Sequence, residues 1–229
     1  MRVLTWNLYH GRAKPPAGRY LLREFAAALA GWEWDVALLQ EVPPWWPDEL
    51  GRACGANAVS ALTSRNALLP LRRFVAERWP DFIRSNGGGA NALLARGSKL
   101  ADHRTRVLTH QPERRVAHGA RLDDGTWVVN LHATVHDAAA AHRDLALARE
   151  TALAWAGDAT IVLGGDFNIR NPDLPGFAQA AGHDVDFIFV RGLTPAGASE
   201  VLDHGELSDH APVVATAARP APAGRSPGA

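Results

Sequence analysis

Gly164-Gly165-Asp166-Phe167-Asn168 is the stretch from which the fold and chemistry of this chain are most readily worked out. It follows Thr160-Ile161-Val162-Leu163, an apolar and β-branched run typical of a buried strand. Two adjacent glycines favour a sharp turn at the end of that strand, because they carry no Cβ. Asp166 and Asn168 are then expected at a sheet edge, where a carboxylate holds a cation or orients water. An Asx turn that merely closes the strand is the alternative interpretation.

The composition indicates a globular protein that is held together by packing. Of the 229 residues, 47% are hydrophobic and 21% are charged. The 24 Lys and Arg balance the 24 Asp and Glu, so the formal net charge is zero. No global basic field therefore attracts nucleic acid, although a local basic patch stays compatible with this balance. Cys54 is the single cysteine, which excludes an intrachain disulfide.

The chain is expected to form one domain over residues 1–217. Residues 218–229 consist of Pro, Ala, Gly, Ser and Arg, a composition that predicts a disordered tail. The N-terminus lacks a basic segment followed by an apolar one, and no stretch has the length and hydropathy of a membrane span. These features predict a cytoplasmic location.

Apolar periodicity predicts strands that alternate with helices, with helices covering the sheets. The clearest hairpin places strands around residues 115–122 and 127–132 on either side of the turn Asp123-Asp124-Gly125. Strands are predicted at 3–8, 35–39, 91–96, 160–163, 186–190 and 212–216, and helices at 19–31, 66–79 and 138–156. Residues 43–90 give the weakest pattern.

Several polar residues have the same placement relative to the predicted strands: each lies at or just beyond the end of a strand or directly before one. Oxygen ligands from distant segments converge in this way on one sheet edge. Each residue alone also fits a cap, a turn or a buried histidine. Carboxylates and amides without a Cys/His cluster favour Mg²⁺ or Mn²⁺ over zinc. The residues are Asn7, Glu41, His132, Asp166, Asn168 and Ser208-Asp209-His210.

These motifs resemble the endonuclease/exonuclease/phosphatase superfamily, the deoxyribonuclease I-like proteins. They occur in the family's order from residue 5 to residue 212. The resemblance implies a four-layered α/β sandwich, in which two mostly antiparallel sheets pack face to face with helices outside. It also implies hydrolysis of phosphoester bonds with one or two divalent cations. The matching segments are Thr5-Trp6-Asn7, Gln40-Glu41, Gly88 to Leu94, Asn130-Leu131-His132, Gly164 to Asn168, Asp186-Phe187-Ile188 and Ser208 to Pro212.

The resemblance also implies a metal site for Mg²⁺ or Mn²⁺. By position, Glu41 is the principal ligand, and Asn7 and Asp209 contribute. A cation of this kind neutralises the anionic phosphoester, which otherwise resists attack by water.

The remaining matched positions imply catalytic roles. Asp166 orients or deprotonates the attacking water, and Asn168 holds a phosphate oxygen. His210 contacts the phosphoryl group, with Asp186 setting its tautomer, and His132 contacts phosphate or assists the leaving oxygen. Asp166 and His210 both remain candidates for the general base.

The substrate class stays open at this point. The first expectation is a phosphodiesterase that acts on nucleic acid or nucleotide-like substrates, as a monomer. The alternative is a phosphatase for a small phosphorylated metabolite or a lipid headgroup. A catalytically inactive scaffold is disfavoured, because no expected catalytic position is lost. Trp45-Trp46 is expected to pack under a loop rather than to stack on bases.

Tyr9-His10-Gly11-Arg12 directly follows the strand that carries Asn7. Gly11 permits a tight turn that aims the neighbouring side chains back at the site. We therefore expect His10 and Arg12 to bind substrate phosphate, with a purely structural turn as the alternative.

Overall fold

The computed structural model describes residues 1–220, which contain thirteen strands and five α-helices. The strands are β1 (Arg2–Asn7), β2 (Val36–Val42), β3 (Ala56–Leu62), β4 (Ala90–Arg96), β5 (Ala101–Thr109), β6 (Arg115–Arg121), β7 (Trp127–His132), β8 (Ile161–Asp166), β9 (Ala178–His183), β10 (Asp186–Arg191), β11 (Thr194–Pro195), β12 (Glu200–Val201) and β13 (Val213–Ala218). The helices are α1 (Leu22–Gly31), α2 (Pro47–Cys54), α3 (Leu69–Arg78), α4 (Pro80–Ile83) and α5 (Ala138–Ala156).

Two sheets form the centre of the fold. One has the order β11-β13-β1-β2-β4-β3, with β12 also paired to β13, and the other has the order β5-β6-β7-β8-β10-β9. Only the pairs β1–β2 and β7–β8 are parallel among the described pairings. The prediction of two mostly antiparallel sheets is therefore confirmed.

The three apolar clusters show how the layers stack. The central cluster joins both sheets, with Val36 and Leu38 of β2 packed among Val162 of β8 and Ile188 of β10. A second cluster packs α1 and α2 on the outer face of the first sheet, and a third packs α5 on the outer face of the second sheet. The order helix, sheet, sheet, helix is the predicted four-layered sandwich.

A buried polar link crosses between the sheets just below the edge that carries the site. The Asn130 amide donates to the backbone oxygens of Leu39 and Ala92, and its own oxygen accepts from Gln40 Nε2 at 2.8 Å. Because a buried amide without partners costs free energy, this network favours one relative placement of the two sheets.

The glycines of the opening motif have a different role from the one expected. Gly164 and Gly165 do not turn the chain; both lie inside β8, which continues to Asp166. A Cβ on Gly165, whose φ is +140°, would lie 1.9 Å from the Leu131 oxygen of β7. A Cβ on Gly164 would meet Leu38 of the facing sheet at 2.8 Å. The glycines therefore allow close approach of β8 to its neighbours.

Most predicted elements are present, with shifted boundaries. The helix predicted over 19–31 begins at Leu22, and the one predicted over 66–79 is α3, a surface helix. Residues 43–90, which gave little pattern, contain α2, β3, α3 and α4. No helix within residues 1–220 combines the length and apolar character needed to cross a bilayer.

The C-terminal boundary differs by a small amount from the expected one. Ala218 is the last residue of β13 and pairs with Thr194, and the Arg219 guanidinium binds Asp124 at 3.0 Å. The rest of the predicted tail, residues 221–229, lies outside the described residues.

Candidate active site

The predicted polar residues converge on a cleft of about 340 Å³ at one edge of the sandwich. Strand ends of both sheets form its floor, and segments 63–65, 85–89 and 113–115 form a wall. Of the ten predicted site residues, eight line this cleft: Asn7, His10, Glu41, His132, Asp166, Asn168, Asp209 and His210. The other two do not line it: Asp186 binds the His210 ring, and Arg12 packs on Tyr9.

His210 is held in one orientation by groups on three segments. Its Nδ1 lies 2.7 Å from Asp186 Oδ2, at the start of β10. Its backbone nitrogen donates to Ser208 Oγ, and Trp6 Nε1 donates to its backbone oxygen at 2.9 Å. With Nδ1 bound to the carboxylate, Nε2 points towards the cleft and lies 3.9 Å from Asp166 Oδ2.

Charge pairing keeps His210 protonated. Burial alone lowers the pKa of His210, but the hydrogen bond to Asp186 and the charges of Asp186 and Asp166 outweigh it and raise the pKa to about 10. The imidazolium is therefore present throughout the neutral range, and it suits stabilisation of negative charge better than proton abstraction.

Asp166 is a buried carboxyl group at the centre of the cleft floor. Asn7 Nδ2 donates to its Oδ2 at 2.9 Å, and the Asn168 backbone nitrogen donates to its Oδ1 at 3.0 Å. Burial, and then the charge of Asp186, raise the pKa of Asp166 to about 7. A carboxylate with a pKa near neutrality is suited to accept a proton from water.

Arg115 is a site residue that the sequence reasoning missed. Its Nη1 lies 3.0 Å from His132 Nδ1, and its Nη2 donates to Glu113 at 2.8 Å. Because a guanidinium only donates, His132 Nδ1 must accept, which leaves the proton on Nε2. That nitrogen lies 3.4 Å from Asp166 Oδ2. A charged residue at the start of a predicted strand was the available signal.

His132 is therefore a neutral donor. Burial, and then the electrostatic effects of Arg115, His210 and His10, lower the pKa of His132 well below its usual range. His132 thus differs in charge from His210, although both imidazoles face Asp166. Of the two, His132 suits orientation of a phosphate oxygen or water, and His210 suits neutralisation of charge.

Glu41 reaches the cleft because β2 is irregular at this point. The register between β2 and β4 shifts between Leu39 and Val42, and Glu41 has a φ of +50°. Bulges of this kind re-aim a side chain at the end of a strand. Glu41 Oε2 lies 3.1 Å from His10 Nε2, and Oε1 lies 3.9 Å from His132 Nε2.

The donor set of the cleft fits a hard divalent cation. Glu41 and Asp209 offer carboxylate oxygens, and Asn7 offers an amide oxygen that accepts only one hydrogen bond, from the Tyr9 nitrogen. Asp166, Asp186 and His210 also bring ligand atoms within 4.8 Å of one another. In that second group, however, the Asp186–His210 hydrogen bond already occupies one atom of each residue.

Of the two residues predicted to bind phosphate after β1, His10 lines the cleft and Arg12 does not. His10 lines the cleft, and its Nδ1 lies 3.3 Å from the Gly88 oxygen. The Arg12 side chain is buried, with its guanidinium carbon 3.7 Å from the centre of the Tyr9 ring. Gly11 packs directly against the Trp46 ring, and Arg12 packs on Tyr9, which itself lines the cleft.

Trp46 has the packing role that was expected of it. It is buried among the residues of α1 and α2, and its Nε1 donates to the Tyr20 hydroxyl at 2.6 Å. Trp45 is partly buried against the same cluster and also donates to Tyr20. The two tryptophans support the loop after β2 beside Glu41.

The two-sheet sandwich, with carboxylates, amides and imidazoles gathered in one edge cleft, defines the class of protein: a phosphoester hydrolase. Over residues 4–210 the sequence matches the Endonuclease/Exonuclease/phosphatase family, and the chain belongs to that family. The match spans β1 to His210 and so includes every predicted site residue.

Solved structures share this fold at low sequence identity. An endonuclease/exonuclease/phosphatase from Beutenbergia cavernae is 18% identical, with a TM-score of 0.72 over 94% of this chain and 70% of that chain. TDP2 from Caenorhabditis elegans is 13% identical, with a TM-score of 0.69 over 95% of this chain and 74% of that chain. The mannosyl-6-phosphatase of Bacteroides thetaiotaomicron is 14% identical, with a TM-score of 0.70 over 95% and 99%. No curated protein matches the sequence.

Proposed function

We propose that the protein is a divalent-metal-dependent phosphodiesterase, which hydrolyses a phosphodiester by attack of an activated water. The observation that carries the proposal is the arrangement of Asp166 between two imidazoles of different charge, with Glu41 facing the same cleft. This arrangement supplies a proton acceptor, a cationic group and a hard oxygen ligand around one space.

Each residue has a distinct part in the proposed reaction. Asp166 accepts the proton of the attacking water, because its pKa lies near 7. His210, kept charged by Asp186, donates from Nε2 to a phosphoryl oxygen and stabilises the negative charge that develops there. Asn168 Nδ2 donates one hydrogen to the Ala133 oxygen, which leaves its second hydrogen for the phosphate.

Glu41, Asn7 and Asp209 would hold the cation, Mg²⁺ or Mn²⁺. When bound, it neutralises phosphate charge and polarises the phosphorus–oxygen bonds. The side chains of one chain line the whole cleft, so we propose that the enzyme acts as a monomer.

The charges of the cleft wall favour a diester over a monoester. Arg65 and Arg115, the two arginines that line the cleft, both bind the carboxylate of Glu113. A phosphomonoester carries about one more negative charge than a diester at neutral pH. Because both guanidiniums of the wall are already paired with Glu113, they contribute little to binding that additional charge.

A phosphatase of small phosphorylated metabolites is the second candidate. The observation that favours it is the likeness of the fold to the mannosyl-6-phosphatase of Bacteroides thetaiotaomicron. We place it second, because a likeness at 14% identity concerns the fold and not the substrate.

Paired chromogenic substrates test the proposal directly. Hydrolysis of bis-(p-nitrophenyl) phosphate and of p-nitrophenyl phosphate is measured in Mg²⁺, in Mn²⁺ and in EDTA. We expect the diester to be preferred, and the activity to vanish in EDTA and return with either cation. The Glu41→Gln variant should need a higher cation concentration, whereas the surface variant Asp102→Asn should not.

Full activity in the chelator would refute the metal mechanism, and preference for the monoester would favour the phosphatase. Plasmid, single-stranded DNA and RNA, phospholipid and inositol phosphates then serve as a panel that identifies the substrate.

A further inference from the structure

The segment between β3 and β4 has an unusual surface. Among residues 1–220, seven large apolar side chains are exposed, and six of them lie between residues 62 and 82. Five of these six form what we call the apolar ridge: Leu68, Leu71, Phe74, Trp79 and Phe82. Phe82 is 83% exposed and Leu68 is 74% exposed, values rarely reached by such residues.

The apolar ridge runs along α3 and on into α4. Leu71 and Phe74 lie three residues apart in α3 and so share one side of the helix. The rings of Phe74 and Trp79 meet edge to face, with centroids 6.3 Å apart. Trp79 leads directly into α4, which carries Phe82. α3 has no buried residue at all, although Leu69, Leu71, Phe74 and Val75 make it rich in apolar side chains.

The base of the same segment is anchored to the protein, so the exposure is a feature of the fold. Asp81 Oδ2 accepts from the Gly18 nitrogen at 2.7 Å, and Pro80 is buried. The Asn66 side chain exchanges two hydrogen bonds with the Gly89 backbone, at 3.1 and 3.2 Å. The anchoring groups face the sandwich, and the ridge faces away from it.

Arginines flank the apolar ridge. Residues 68–84 contain four arginines and two carboxylates. Both carboxylates are engaged: Glu77 binds Arg73 at 2.7 Å, and Asp81 binds the Gly18 nitrogen. Arg78 and Arg84 are exposed and have no carboxylate partner among the described ion pairs. Exposed leucines and aromatics with cationic neighbours are the composition of segments that insert into the interface of an anionic membrane.

The ridge is also connected to the active site. Thr63, Ser64 and Arg65 line the cleft before the segment, and Ser85 and Gly89 line it after the segment. Both ends of the ridge-bearing segment therefore lie on the cleft wall. A surface that docks on the ridge is brought beside the catalytic residues.

We propose that the apolar ridge docks the enzyme on an anionic membrane surface and presents the cleft to phosphodiester headgroups there. The docking stands on the ridge itself, and only the identity of the substrate rests on the proposed function. Single-stranded nucleic acid fits the ridge less well, because two of its five residues are leucines, which offer no face for base stacking.

The test is co-sedimentation of the full chain with vesicles of phosphatidylcholine, with and without phosphatidylserine. We expect binding to the anionic vesicles, reduced at least about tenfold in the double variant Leu71→Ser/Phe82→Ser, because two apolar anchors are lost. The variant Arg78→Gln/Arg84→Gln should lose mainly the preference for anionic vesicles. Val201→Ser is the matched control, since Val201 is exposed outside the ridge.

Hydrolysis of soluble bis-(p-nitrophenyl) phosphate separates the two proposals. Both double variants should keep this activity and the thermal midpoint of the original chain, because none of Leu71, Phe82, Arg78 and Arg84 lines the cleft. Enzyme that hydrolyses the soluble diester but does not bind anionic vesicles would overturn the docking proposal and leave the proposed function intact. So would self-association that the ridge variants abolish, or ridge-dependent binding of an oligonucleotide in place of vesicles. Vesicle binding without diesterase activity would instead overturn the proposed function.

Discussion

Replacement of Asp186 by Asn tests how the cleft keeps His210 charged. The substitution preserves volume and one hydrogen-bonding oxygen, but it removes the charge that lies 2.7 Å from His210 Nδ1. It also allows the amide nitrogen to face the ring, which favours the wrong tautomer. We expect kcat for a phosphodiester to fall by about 10²-fold, since a hydrogen bond to a charged group contributes about 1.5–3 kcal/mol.

The pH dependence sharpens this expectation. In the original chain the pKa of His210 is about 10, so the imidazolium persists across the neutral range. Without Asp186, burial pulls the pKa down towards or below the ordinary value of about 6.5. At pH 7.5 the charged fraction then falls to roughly one-tenth or less. The ratio of kcat for the original chain to kcat for Asp186→Asn should therefore increase as the pH rises from 6 to 9.

The assay is a set of single and double variants measured at several pH values. His210→Ala should lose about as much rate as Asp186→Asn, and the double variant should be little slower than the slower single variant. Asp102→Asn is the matched control, because Asp102 is an exposed carboxylate that binds Arg121 away from the cleft. Losses that multiply in the double variant, or a rate ratio that does not change with pH, would refute the coupling.

Three further predictions concern other parts of the structure. Burial, and then His103, lower the pKa of His118 to about 3, so below pH 6.5 the unfolded state binds a proton that the folded state does not bind. Between pH 7 and 5 the original chain should therefore lose about 2 kcal/mol more unfolding free energy than the His118→Gln variant. Urea titration measures this difference, and equal losses in the two chains would contradict the prediction. Gly165→Ala should destabilise by about 3 kcal/mol or more, because its Cβ would lie 1.9 Å from Leu131 O, whereas Gly125→Ala, also at positive φ but in open space, should cost less in the same titration. His10→Ala should raise KM for the diester more than it lowers kcat, and Arg12→Ala should raise KM less, since His10 lines the cleft and Arg12 does not; an equal rise in KM in Arg12→Ala would return that residue to the site.

The local sequence determined much of the fold and most of the cleft. Apolar runs that end at or shortly before Asn7, His132 and Asp166 predicted strands whose polar ends meet at one edge, and the structure has these strands as β1, β7 and β8. This part was predictable because strand periodicity and the residue that follows a strand are both local properties of the chain. The family motifs added the layer order, which the apolar clusters confirm.

Tertiary packing decided the features that depend on residues far apart in sequence. Arg115 sets the tautomer of His132 only because β6 lies beside β7. Arg12 packs on Tyr9 and does not line the cleft, a placement that the local sequence did not indicate. The sequence likewise did not predict the apolar ridge, because the leucines and aromatic residues of 68–82 are of the types that usually form a core. Burial is set by what the rest of the chain places against a segment, and within residues 1–220 these five side chains stay 51–83% exposed.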